Sequence, residues 1–232
     1  MNDKNKLLAG HTLFAQLKEE DIGEIAKLFI ERHFNKNEIL FMKGDDSHEM
    51  MLVVTGRIHI IAASAEGREM ILNDIGPGGI IGEIALLDGK PRSAQATVIE
   101  DCRMLVIRRR DFLELLRKKP DLAIGMMEQL CQKLRNTSAT VENLALNSIA
   151  VRVALYLLEK AKIDLDEKYE SVTFTLQYNQ GRIGNFIGSG RERLNRVLSN
   201  FGERGIISIG SDHKTITILN INKLKKIAEN LA

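Results

Sequence analysis

Residues 121–148 read DLAIGMMEQLCQKLRNTSATVENLALNS, and their spacing organises the chain on either side. Met127, Leu130, Leu134, Thr137, Val141, Leu144 and Ser148 fall alternately three and four residues apart. That alternation draws one line along a helix and marks a seam between two helices packed side by side. One member of the seam is wrong for stability alone. Thr137, followed directly by Ser138, puts hydroxyls in its middle, and a hydroxyl buried without a partner costs about 1–3 kcal/mol. Either these groups bond back to the preceding turn, or a small polar molecule lies against the seam and supplies the partner.

The chain on either side has a different texture. Glu19, Glu20 and Asp21 open a short helix over Asp21–Ile30, because negative charge is favoured at a helix N-terminus. From Glu31 to Ile107, short apolar runs alternate with turns. Ile39–Met42, Met50–Val54, Arg57–Ala62, Glu69–Leu72 and Met104–Ile107 read as strands. Thr55-Gly56, Glu66-Gly67 and Gly76-Pro77-Gly78-Gly79 read as turns between them. Strands this frequent, with no helical pattern among them, predict an antiparallel roll.

Asp111–Lys118 reads as a short helix, and Pro120 starts the long one. Asn147-Ser148 is the expected hinge, with Ser148 capping a helix over Ile149–Lys162. An acidic, exposed loop is expected over Asp164–Glu170. Two short helices follow, about Tyr178–Phe186 and Gly190–Phe201. Ile206–Ile209 and Thr215–Leu219, joined by Gly210-Ser211-Asp212, make a hairpin.

Composition bounds the function classes. The 232 residues suffice for one large or two ordinary domains, and 44% hydrophobic with 28% charged content is ordinary for a soluble protein. Net charge is +2, but from Ser148 onward 13 Lys/Arg face 9 Asp/Glu, so the basic excess is C-terminal. That mildly favours a polyanion partner there. Cys102 and Cys131 are too few for a disulfide framework or a thiolate metal site, and the five histidines show no metal-ligand spacing. The N-terminus lacks the pattern of a signal peptide, and no run is long enough to span a bilayer. A cytoplasmic protein with no membrane partner is expected.

The densest chemical signal is Gly82-Glu83-Ile84-Ala85-Leu86-Leu87-Asp88-Gly89-Lys90-Pro91-Arg92-Ser93-Ala94. It holds a carboxylate and a guanidinium on one compact loop–helix–loop. Arg92 offers a rigid fork of donors suited to a phosphate, and Ser93 adds a hydroxyl beside it. Glu83 can accept from a ribose hydroxyl. By composition alone, an ordinary surface loop with a Glu–Arg ion pair accounts for the stretch as well.

Motif order separates the two. The string Gly82-Glu83-x-Ala85-Leu86-Leu87, with Pro91-Arg92-Ser93-Ala94 following, resembles the phosphate-binding cassette of cyclic nucleotide-binding domains. Arg191-Glu192-Arg193-Leu194-Asn195-Arg196-Val197-Leu198 is similar to the recognition helix of the Crp/Fnr transcription factors. Leu134-Arg135-Asn136-Thr137-Ser138 resembles the dimer helix of that family's cyclic AMP-responsive activators.

The resemblance covers nearly the whole chain and implies an α+β protein in three parts. These are a cyclic nucleotide-binding antiparallel β-roll at 1–120, a dimerisation helix and hinge at 121–147, and a winged helix-turn-helix at 148–232. It also implies that Gly82 and Glu83 meet a ribose, Arg92 and Ser93 a cyclic phosphate, and Thr137 and Ser138 the base, the Ser from the partner subunit. Arg191, Glu192 and Arg196 are implied to read base edges in the major groove.

The implied effector is cyclic AMP, with no catalytic cofactor. The implied partners are a second copy of the chain, a palindromic double-stranded DNA site and RNA polymerase. In the homodimer two recognition helices stand about 34 Å apart, one turn of B-DNA. Cyclic GMP, cyclic di-GMP and ligand-independent DNA binding remain as alternatives.

The chain departs from the family pattern at three positions. Lys133 stands where the cyclic AMP-responsive activators have Arg, so its pair with Glu83 should be less rigidly forked. Gly190 replaces a capping Ser or Thr at the start of the recognition helix, and Arg182 stands where an acidic residue is commoner. Other motifs fail. Gly89-Lys90 lacks the spacing of a P-loop, and Gly188-Ser189-Gly190 lacks that of a nucleophile elbow. The N-terminal cysteine cluster of the oxygen-sensing relatives is missing, so no iron–sulfur cluster is expected. No catalytic constellation is legible.

Overall fold

The computed structural model describes residues 3–15, 17–163 and 171–229. The chain forms two compact units, Met1–Arg135 and Asn136–Ala232.

In the first unit, α1 (Asp3–Ala9), a single 3-10 turn (Thr12–Phe14) and α2 (Glu19–Leu28) precede six strands. The strands are β1 (Ile30–Phe34), β2 (Ile39–Phe41), β3 (Glu49–Ala63), β4 (Glu69–Ile75), β5 (Ile80–Ile81) and β6 (Gln95–Arg108). The sheet order is β1-β6-β3-β4, with β2 on β6 and β5 on β3, and every pairing is antiparallel. Helix α3 (Glu83–Asp88) interrupts the strands, and α4 (Arg109–Lys118) and α5 (Pro120–Leu146) follow them.

The two long strands are buried on both faces, because successive side chains of a strand point opposite ways. Met51 and Val53 of β3 pack with Met104 and Val106 of β6 inside the roll. Met50 and Leu52 pack outward with Leu105 and Ile107 against Phe14, Phe112, Leu122 and Met126 of the helical elements and Phe29 just beyond α2.

The strands differ from the sequence reading in one instructive way. Met50–Val54 and Arg57–Ala62 are a single strand, and Gly56 makes a bulge within it rather than a turn. Gly56 has φ +88°, and a Cβ there would collide with the Asp101 carbonyl of β6. Only glycine fits so close a backbone approach. The helix expected over Asp21–Ile30 is α2, which ends earlier, at Leu28, and Ile30 opens β1.

His11 ties the N-terminal segment to the Gly76–Gly79 turn. Its Nδ1 accepts from the Leu13 N–H at 3.0 Å, so its Nε2, 2.8 Å from the Gly78 carbonyl, carries the proton and donates. Burial pushes this imidazole below the usual histidine range, partly offset by the Gly78 bond. Stability drawn from neutral His11 is therefore full above the unfolded value of about 6.5 and is lost as pH falls through the lower folded value. Melting temperature should drop on acidification from about pH 7 to about pH 5, and His11→Ala should flatten that drop. Equal slopes in wild type and variant would remove His11 from the account.

The second unit holds the C-terminal turns of α5, then α6 (Ile149–Lys160), β7 (Val172–Thr175), α7 (Gln180–Ile187), α8 (Arg191–Glu203), β8 (Ile207–Ile209), β9 (Thr215–Ile218) and α9 (Ile221–Ala228). Ser148 caps α6, accepting from the Val151 N–H at 3.4 Å. Its apolar core gathers Val153, Leu157, Leu194, Leu198, Phe201, Ile216, Ile218 and Leu224. The expected hairpin is present as β8–β9, and β7 joins β9 as the outer strand of a three-stranded sheet. The acidic segment Asp164–Glu170 lies outside the described residues. No helix among the described residues is long and apolar enough to cross a membrane.

Candidate functional site

The cassette is built around the start of α3. Gly82 caps this helix in the left-handed region at φ +81°, and a Cβ there would collide with Nη1 of Arg92. Glycine is thus required twice, for its torsion and for the guanidinium packed against it. Backbone bonds from Gly44 N–H to the Arg92 carbonyl and from Arg92 N–H to the Asp45 carbonyl, both 2.8 Å, hold the arginine loop.

Arg92 is 6% exposed. Its Nη2 donates to the Glu49 carbonyl at 2.9 Å, and its guanidinium carbon stands 4.0 Å from the centroid of the Phe41 ring. Its Nε and Nη1 have no partner among the described residues. Burial pulls its pKa down from the usual arginine value, opposed by the charges of Glu83, Glu49 and Asp45. Unsatisfied buried donors cost about 1–3 kcal/mol each, so this arrangement is poised for an anion.

Glu83 is 4% exposed and accepts from Lys133 Nζ at 2.7 Å. The same ammonium donates to the Ile80 carbonyl at 2.9 Å, so the pair is a point contact and not a two-pronged fork. Glu83 keeps a second oxygen beyond this bond. Ser93 is exposed beside Arg92.

The structure thus brings Gly82, Glu83, Arg92 and Ser93 together in the first unit. Thr137 and Ser138 are exposed on α5, within the second unit. Along α5 an apolar line stays open in the single chain, with Met127 56%, Leu134 68% and Val141 58% exposed. Glu49 and Phe41 were not legible as site residues. They reach Arg92 from strands far away in sequence, and no local pattern announces such contacts.

In the second unit, α7 and α8 form a helix-turn-helix. Asn179 caps α7, accepting from the Arg182 N–H at 2.9 Å. Arg152 of α6 fastens the other end through the Ile187 carbonyl at 2.6 Å. The two helices meet at Gly184, where a Cβ would stand 2.7 Å from the Gly190 carbonyl carbon. Gly184→Ala must push backbone apart and is expected to cost about 1–3 kcal/mol, the usual penalty of overpacking. Chemical denaturation reads it, and an unchanged midpoint would contradict the close approach.

Gly190 precedes α8 without a side-chain cap. Arg191, Glu192 and Arg196 are exposed on α8, while Leu194, Leu198 and Phe201 anchor its other face. Arg196 also borders a cavity of about 620 Å³ with Arg193 and Arg204, at the start of α6. The β8–β9 hairpin is the wing. Asp212 at its tip accepts from the N–H groups of Thr215 and Lys214 and from the Thr215 hydroxyl, which holds its carboxyl at about 2.

Two family models match separate parts of the chain. Residues 31–119 match the cyclic nucleotide-binding domain, and residues 151–227 match the Crp-like helix-turn-helix domain. The chain is 28% identical over 225 residues to the cyclic AMP receptor protein of Thermus thermophilus, covering 97% of this chain and all of that protein. A mutant of CooA from Carboxydothermus hydrogenoformans shares the fold, with TM-score 0.75 at 21% identity over 97% of this chain and 99% of that one. So does the c-di-GMP responsive global regulator CLP of Xanthomonas campestris, with TM-score 0.73 at 20% identity over 87% and 99%.

Proposed function

Since the chain belongs to the Crp/Fnr family of ligand-responsive, DNA-binding transcription regulators, we propose that it is a homodimer whose sequence-specific DNA binding is switched by cyclic AMP. The observation that carries this reading is Arg92, a buried guanidinium with two donors unmatched beside a buried Glu83. A cyclic phosphate supplies one negative charge and two acceptor oxygens, which suits those two donors. The free oxygen of Glu83 accepts from the ribose 2′-hydroxyl, and Gly82 allows the sugar to approach the backbone. Ser93 adds a hydroxyl to the phosphate.

Thr137 and Ser138 are the hydroxyls assigned to the base, the Ser from the partner subunit. The resemblance supports adenine for that pair. The open apolar line on α5 supports dimerisation, since apolar surface left in water is worth about 25 cal/mol per Å² when a second copy covers it. Nucleotide binding then favours one arrangement of the dimer helices, and it shifts the equilibrium only by its differential affinity for the two states. In that state Arg191, Glu192 and Arg196 read a palindromic site in the major groove, and RNA polymerase is the downstream partner.

Calorimetric titration of the full-length protein with cyclic AMP, cyclic GMP and cyclic di-GMP tests the effector. Cyclic AMP should bind tightest. Equal or tighter binding of cyclic GMP would overturn the adenine assignment, and binding of cyclic di-GMP alone would reassign the effector. No binding of any of the three would leave a ligand-independent DNA-binding protein.

A further inference from the structure

A second concave, charged site lies on the first unit where β6 runs into α4. Arg108, Arg109, Arg110 and Arg117 line it with His48 and Glu49, around a cavity of about 570 Å³. Arg108 ends β6 in an extended conformation and α4 begins at Arg109, so three successive guanidinium groups leave the chain at a strand-to-helix corner. Arg117, seven residues beyond Arg110, returns to the same face of the helix.

The charge of this cluster is only partly balanced locally: the Glu114 carboxylate feels Arg110 and Arg117, but its close partner is Lys118, at 2.7 Å. Glu49 already gives both carboxylate oxygens to Arg32, at 2.8 and 2.9 Å. Arg109 donates its Nε to the Leu86 carbonyl at 2.7 Å, which spends one donor and no charge. Arg110 meets Asp111 at 3.3 Å with its side chain 87% exposed, a pair that solvent screens heavily. Among the described residues the side chains of Arg108 and Arg117 have neither a hydrogen bond nor an ion pair.

Four like charges around one concavity repel one another, and a multiply charged anion relieves that repulsion. Guanidinium forks match phosphate oxygens two at a time. The cavity falls in the range of small-molecule sites, about 300–1,000 Å³. Linked phosphates bring more negative charge and more acceptor oxygens than a single phosphate, so they can meet more of the four arginines at once.

We propose that this cavity binds an oligophosphate, two or more linked phosphates either free or carried on a nucleoside, as a second anionic input to the sensor unit. It shares no ligand-binding side chain with the cassette and stands independently of the cyclic AMP reading.

The test is calorimetry on the full-length protein with sodium tripolyphosphate and with ATP. AMP serves as the single-phosphate control, and sodium sulfate matches ionic strength. Tripolyphosphate and ATP should each bind one site per chain, with AMP about tenfold weaker or worse. Tighter binding of ATP than of tripolyphosphate assigns the nucleoside-borne source, and equal binding assigns the phosphate chain itself. The double variant Arg108→Ala/Arg117→Ala should lose about tenfold or more for both, and Arg117→Gln alone should fall between it and wild type.

Cyclic nucleotide titrations should be the same in these variants as in wild type. Arg191→Ala/Arg196→Ala, which alters the other basic surface, should leave oligophosphate binding unchanged. AMP binding as tightly as ATP, wild-type affinity in Arg108→Ala/Arg117→Ala, or loss through the Arg191 and Arg196 pair instead would each overturn the site.

Discussion

Arg92→Ala is expected to weaken cyclic nucleotide binding by about a hundredfold or more, while the sensor unit stays folded. Two charge-assisted bonds from Nε and Nη1, at about 1.5–3 kcal/mol each, set that figure. The apo protein has less to lose. Arg92 contributes one bond to the Glu49 carbonyl, its stacking on Phe41 and its attraction to Glu83, Glu49 and Asp45, and against these stand two buried donors without partners and the cost of burying its charge. Truncation removes the favourable and the unfavourable terms together, so the melting temperature without nucleotide should move little. Wild type should gain stability with added nucleotide, and Arg92→Ala should gain almost none at the same concentration. A variant that binds as tightly as wild type would show the cassette assignment to be wrong. A variant that unfolds without nucleotide would instead make Arg92 a structural residue of the roll.

The parts of this site that were legible in the sequence are those carried on one short piece of chain. Glu83 and Arg92 sit within ten residues on one loop–helix–loop, with Gly82 and Gly89 in left-handed conformations at the two ends of α3. Lys133 was legible through the dimer-helix resemblance, and its single bond to Glu83 has the weaker fork expected of lysine. Glu49 and Phe41 were hidden because the pleat and pairing of distant strands decide what faces Arg92.

The same division runs through the fold. The long helix, the Ser148 cap and the wing were local patterns. By contrast, β1 reads Ile-Glu-Arg-His-Phe, with Ile30 48% exposed, and offers almost no apolar alternation. The first half of β6 carries Glu100 and Asp101 and becomes a strand because β3 and β2 supply the ladder. α9 lies outside the expected elements, although Asn220 caps it and Ile221, Leu224 and Ile227 repeat at helical spacing.

Alanine at Arg191 or at Arg196 is expected to cost about 1–3 kcal/mol in binding the preferred DNA site and to relax discrimination at one base position each. Both side chains are exposed on α8, whose opposite face is anchored by Leu194, Leu198 and Phe201, so the helix presents them without contributing them to the core. Two arginines suit guanines and Glu192 suits a cytosine, and the family resemblance implies a half-site of the TGTGA kind repeated as a palindrome. The competing arrangement is that these arginines touch only phosphates, and it bears harder on Arg196. Five residues at 3.6 per turn place Arg196 about 140° round the helix from Arg191. There it shares a cavity wall with Arg193 and Arg204, a cluster that could hold the sugar–phosphate backbone as well as Arg196 could reach a base. Binding measured on a set of half-site variants, at several salt concentrations, separates the two. A base reader loses preference at its own position and keeps the salt slope nearly intact. A phosphate contact weakens every sequence alike and lowers that slope by about one unit. Uniform loss in both variants would leave α8 as a basic helix without sequence readout, whereas uniform loss in Arg196→Ala alone would confine direct readout to the N-terminal turn, with Arg191 and Glu192.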